Sequence, residues 1–131
     1  MKVFIVDDST EICERVVALI SELNDIQIVG QAKTLREARE MVLMLKPQAI
    51  ILDIKLPDGN GIQMLKEIKS NSPTPKIAVF SNHTHPNFRK RCLEAGADSF
   101  FDKSTEFEKI PLVLSKWAQE FSIASQGGKN S

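Results

Sequence analysis

The sequence predicts an α/β protein: a doubly wound, three-layer sandwich on a parallel sheet. Short apolar runs that read as strands alternate with segments of helical spacing along nearly all of the 131 residues, the pattern of successive βαβ units. One run, Ala49 to Leu52, is continuously apolar, as a strand covered on both faces must be. Polar residues follow the strand-like runs at once, so they gather where open α/β sheets bind ligands, at the carboxyl ends of the strands.

Val3 to Val6 is the first strand, with Asp7 and Asp8 at its end. Ser9 or Thr10 can cap the next helix, where Ile12, Val16, Leu19, Ile20 and Leu23 recur at helical spacing. Ile26 to Val29 is a short second strand ending at Gly30. Thr34 and Glu37 have capping-box spacing, Ala38, Met41, Val42 and Leu45 mark the inner face of the second helix, and Pro47 ends it.

The third strand, Ala49 to Leu52, runs into Asp53 and then the turn-rich LPDGNG, which stops the strand and opens a helix lined by Ile62, Leu65 and Ile68. Ser72 to Pro75 break the chain before Ile77 to Phe80, a fourth strand with Ser81 at its end. Pro86 fits the first turn of the fourth helix, whose buried face is Phe88, Cys92 and Ala95 and whose C-cap is Gly96. Ser99 to Asp102 is the fifth strand, followed at once by Lys103. Because Pro111 would break a helix already two turns long, a tight turn is expected near Ser104 to Phe107 and the last helix from about Glu108 to Phe121. Its stripe is Ile110, Leu114, Trp117 and Phe121.

Five strand-helix units with right-handed crossovers give a doubly wound (βα)5 sandwich, and the flavodoxin-like strand order 2-1-3-4-5 is the one expected for it. The expected domain spans residues 1–122. SQGGKNS, without periodicity or much apolar surface, makes 123–131 a disordered tail.

Composition narrows the function classes. Lys+Arg and Asp+Glu both number 17, so net charge gives no reason to expect nucleic-acid or membrane binding. The apolar run at the amino terminus is too short for a secretory signal, and none is long enough to span a bilayer, so a cytoplasmic location is expected. Cys13 and Cys92 lie far apart in helical segments and read as reduced, buried thiols.

In the proposed sheet Asp7, Asp8, Asp53, Ser81 and Lys103 all emerge along one edge. Clustered carboxylates raise one another's pKa unless a cation is bound. Oxygen donors without a placed His or Cys suit Mg²⁺ better than zinc.

These residues carry a family resemblance. The DD pair at Asp7 and Asp8, LDIKLPDGNG holding Asp53, Ser81 after a strand, and Lys103 after GADSFFD together resemble the receiver domain of two-component response regulators, over roughly residues 2–121. The resemblance implies that Asp53 is a nucleophile taking a phosphoryl group from a phosphohistidine on a sensor histidine kinase or histidine phosphotransfer protein. It implies that Asp8 and Asp53 bind Mg²⁺ by their side chains and Lys55 by its backbone carbonyl, with Asp7 acting indirectly through water. Lys103 would pair with Asp53 before transfer and with a phosphoryl oxygen afterwards, and Ser81 would donate its hydroxyl to another.

The resemblance further implies a switch in which Ser81 shifts and Phe100 turns inward, altering the face formed by the fourth helix, fifth strand and fifth helix. That face would meet a downstream protein or a second copy. Arg89, Lys90 and Arg91 form a basic patch on it, and Leu112 and Val113 lie off the buried stripe. Asn82 stands where the family usually has Ala or Gly, His83 and Lys55 flank the phosphoryl position, and Ser104 replaces the usual Pro.

About ten residues follow the last expected helix, which favours a stand-alone receiver, with a relay or phosphate-sink role as the alternative. An aspartyl-phosphate phosphohydrolase would need a second acid two residues after its nucleophile, where this chain has Lys55. A flavin carrier of similar fold would need a phosphate loop free of the two acids in VDDST.

Overall fold

The computed structural model describes the backbone of residues 1–71 and 73–130, and side chains through residue 124. The order is β1 (Lys2–Val6), α1 (Thr10–Ile20), β2 (Gln27–Ala32), α2 (Leu35–Leu45) and β3 (Ala49–Leu52). A small ribbon, β4 (Lys55–Leu56) and β5 (Gly59–Asn60), precedes α3 (Ile62–Lys69), β6 (Lys76–Ser81), α4 (Pro86–Glu94), β7 (Ser99–Asp102) and α5 (Lys109–Asn130). The main sheet is parallel in the order β2-β1-β3-β6-β7, which without the ribbon is the expected 2-1-3-4-5.

The alternation of strand side chains splits the core in two. Val3 and Ile5 point with Ile51 and Phe80 toward α1 and α5, meeting Val16, Ile20, Leu114 and Trp117. Phe4, Val6, Leu52 and Val79 point the other way, toward Ala38 of α2, Leu65 of α3 and Cys92 of α4. Both cysteines are free and buried.

Local signals resolve as the chemistry requires. Ser9 caps α1 by accepting from the Ile12 N–H at 3.2 Å, and Thr34 caps α2 by accepting from Glu37 at 3.1 Å. Pro86 opens α4, and Gly96 takes φ +114 just beyond it, a conformation that suits glycine.

Two boundaries differ from expectation. Gly30 does not end β2; the strand continues to Ala32, whose carbonyl accepts the Asp7 N–H at 3.0 Å. A glycine is needed there because a Cβ would lie 2.9 Å from Phe4 Cε1 and 3.1 Å from both Leu45 Cδ1 and Met41 Cε. The last helix begins at Lys109, with Pro111 in its first turn, and runs past Phe121 to Asn130. Ile123 within it is 61% exposed, whereas the side chains of 125–130, and residue 131 altogether, lie outside the described residues. Phe121 is half-buried rather than core, and Val113 is partly buried against the α1–α5 side while Leu112 is 71% exposed.

Candidate functional site

Three charged residues stand one position beyond a strand, each anchored by its own backbone. The Asp7 N–H donates to the Ala32 carbonyl, Asp53 to Val6 at 2.8 Å, and Lys103 to Ser81 at 3.0 Å. The parallel ladder thus extends one residue past its strand ends and delivers two carboxylates and an ammonium to one edge. Asp8 follows Asp7, and one oxygen from each of Asp7, Asp8 and Asp53 lies within 4.8 Å of the others.

Lys103 binds this cluster together. Its Nζ is 2.5 Å from Asp7 Oδ2 and 2.9 Å from Asp53 Oδ2, and its side chain is only 8% exposed. Three carboxylates against one ammonium leave the pocket short of positive charge. Burial pushes the Asp53 carboxyl above its usual range, with Asp7 adding to the effect and Lys103 opposing it. Burial also works against the Lys103 ammonium, but bonding to Asp7 and Asp53 outweighs it and raises the pKa. Hard oxygen donors at this spacing, two buried and one facing solvent, fit a small divalent cation that keeps some of its water.

The remaining expected residues lie on the ribbon, β6, α4 and β7 and in the loop after β6. Ser81 is fully buried at the end of β6, and its Oγ accepts from the His83 N–H at 3.0 Å. Asn82, His83 and Lys55 are exposed. Phe100 is buried and packs edge-on against Phe88 at 6.1 Å, with the Arg89 guanidinium 5.5 Å from its ring centre. His83 in turn lies edge-on to Phe88 at 6.2 Å. Arg89, Lys90 and Arg91 are exposed, with Lys90 3.8 Å from Glu94.

Two relationships were not legible in the sequence. Asp7, expected to act largely through water and by holding the site's geometry, is also a direct partner of Lys103. Asp58, read as a turn residue, accepts from the backbone N–H groups of Leu35 and Arg36 at 2.8 and 3.1 Å. Spacing carried no signal for this cap, because it crosses between elements 22 and 23 residues apart.

Fold and site define a doubly wound α/β protein with an acidic pocket bridged by one lysine at the carboxyl edge of its sheet. The comparisons with known proteins are more specific. Residues 3–115 match the model of the response regulator receiver domain, and the chain belongs to that family. It is 41% identical over 108 residues to a protein-glutamate methylesterase/protein-glutamine glutaminase of Shewanella frigidimarina, covering 81% of this chain but 27% of that protein. It is 28% identical over 116 residues to the response regulator VraR of Staphylococcus saprophyticus, covering 88% of this chain and 56% of the relative. Among solved structures it resembles the response regulator domain of Thermotoga maritima CheB, with a TM-score of 0.77, 32% identity, and coverage of 91% of this chain and 94% of that one. The chain spans only about a quarter of the length of the methylesterases it matches.

Proposed function

We propose that Asp53 is the phosphoacceptor of this receiver domain, with Asp8 and Asp53 holding Mg²⁺ by their carboxylates, the Lys55 backbone carbonyl completing the protein's ligands, and Asp7 supporting the geometry. The observation that carries the reading is the Lys103 ammonium lodged between Asp7 and Asp53, with Asp8 alongside.

A carboxylate oxygen of Asp53 attacks the phosphorus of a phosphohistidine. The P–N bond breaks, its electrons return to the imidazole, which takes up a proton, and an acyl phosphate forms on Asp53. A bound cation supplies charge neutralisation to the phosphoryl oxygens. Lys103, already poised beside Asp53, donates to one of those oxygens as negative charge gathers there, and the Ser81 hydroxyl donates to another. Ser81 can do so without losing its present bond, since its oxygen accepts from His83 while its hydrogen is free to turn.

Incubation with acetyl phosphate and Mg²⁺ is expected to add one phosphoryl group to the intact mass of the wild type and none to Asp53→Asn. Full incorporation by that variant overturns the assignment.

The output side of the proposal is the face of α4, β7 and α5. Phe100 lacks a hydroxyl, so packing against Phe88 and Arg89 alone sets its preference, and phosphorylation shifts that balance by ~1–3 kcal/mol, the usual scale of coupling. The partners proposed are a sensor histidine kinase or phosphotransfer protein on the input side and a downstream protein, or a second copy, on this face. Charge reversal at Arg89 and Lys90 should weaken partner capture, and unchanged binding removes them from the interface. Among the described residues no helix is long and apolar enough to cross a membrane, and a cytoplasmic setting belongs to the same proposal.

A further inference from the structure

The proposed metal ligand contributed by the backbone, the Lys55 carbonyl, sits in a ribbon of two residues per strand, Lys55–Leu56 paired with Gly59–Asn60. So short a ribbon does not hold its own shape. Its base is tied to the start of α3: the Gly61 N–H donates to the Ile54 carbonyl at 2.7 Å, and Asn60 Oδ1 accepts from the Ile62 N–H at 2.8 Å. Its tip is tied elsewhere. Gly59, at φ +140, turns the chain so that the Asp58 carboxylate reaches the first turn of α2 and takes the N–H groups of Leu35 and Arg36, one on each oxygen.

These N–H groups are unpaired within any helix, and a carboxylate there is favoured by the helix dipole. Yet α2 already has a cap in Thr34, which serves Glu37. Among the described residues Asp58 is the only hydrogen-bonding link from the ribbon to α2, so it fastens the free end of the segment carrying Lys55.

We propose that Asp58 is a positioning residue for the metal: by clasping the first turn of α2 it holds the ribbon, and with it the Lys55 carbonyl, in the orientation that a cation on Asp8 and Asp53 needs. This rests on the site reading above and extends it to a residue outside the acidic pocket. Loss of an outer-sphere support of this kind weakens metal binding roughly tenfold or more.

The test is calorimetric titration of the full chain with MgCl₂, with melting followed in parallel. Asp58→Ala is expected to bind Mg²⁺ at least about tenfold more weakly, with Asp58→Asn between it and the wild type because only one acceptor oxygen remains. Thr34→Ala, which removes a cap from the same helix without touching the ribbon, should melt earlier but bind Mg²⁺ as the wild type does. In the wild type, Mg²⁺ should also slow hydrogen exchange at the Leu35 and Arg36 amides, because coupling between two sites is reciprocal. Wild-type affinity in Asp58→Ala, or an equal loss in Thr34→Ala, overturns the positioning role while leaving the site reading intact. Absence of Mg²⁺ binding in the wild type overturns both.

Discussion

The Lys103 ammonium lies closer to Asp7 Oδ2, at 2.5 Å, than to Asp53 Oδ2, at 2.9 Å. Asp7 and Asp53 therefore hold the lysine between them.

Removing the lysine leaves two buried carboxylates facing each other without compensation. Lys103→Met is expected to lower the stability of the metal-free protein by about 3 kcal/mol, the scale of breaking a buried ion pair. Asp7→Asn should cost less, since Lys103 keeps Asp53. Urea denaturation in EDTA compares the two, and a larger loss in Asp7→Asn contradicts the account.

Asp8 has the opposite sign. It is exposed, among the described residues it makes no salt bridge, and it adds negative charge to a pocket already short of cations. Asp8→Asn should raise the melting temperature without metal by on the order of a few °C and abolish the further rise that the proposed Mg²⁺ site predicts for the wild type. That combination marks a site that gives up stability for binding.

Packing predicts the effect at Gly30. A methyl there would press on the fully buried Phe4 ring at 2.9 Å. The ends of Leu45 and Met41 can yield, but the ring, enclosed by the sheet, cannot move as freely. Gly30→Ala should destabilise by roughly 1–3 kcal/mol, read from the denaturation midpoint.

Burial pushes the Cys92 thiol up to about 11, against an ordinary 9.0, with Arg91 opposing weakly. The folded chain holds this proton more tightly than the unfolded one. Its stabilising contribution is therefore complete below about pH 9 and is lost as pH rises toward about 11. Cys92→Ala should flatten the alkaline limb of the stability curve, and in the native wild type Cys92 should resist iodoacetamide at pH 8. Rapid alkylation under native conditions contradicts the burial of this thiol.

At the acid end Asp58 supplies the converse. Hydrogen bonds from the Leu35 and Arg36 amides hold its carboxyl below the usual 3.8. Its contribution is present above that value and disappears as pH falls through the lower folded one. Asp58→Asn should flatten the acid limb of the urea-midpoint profile, and an unchanged acid limb argues against the cap.

Fold and pocket were legible to different depths. The apolar run of β3, the Thr34 cap and Pro86 at the start of α4 each state a local preference that the tertiary structure satisfies. The alternation of elements pointed to a parallel sheet, and in the flavodoxin-like order expected for it, which the sheet adopts, Asp7, Asp8, Asp53 and Lys103 fall at one edge. Gly30 looks locally like a terminator, yet β2 runs through it to Ala32. Its real constraint is the ring of Phe4 on the neighbouring strand, which no window of sequence contains.

By itself, then, the sequence determined which groups the chain could offer and along which edge, because periodicity and caps are properties of neighbouring residues. Only the tertiary structure decided how they pair: that Asp7 takes Lys103 directly, that Asp58 reaches α2, and that Phe100 lies buried beneath Arg89. The reason is distance. Each of these contacts joins side chains on different elements, and its geometry is set by the packing of layers.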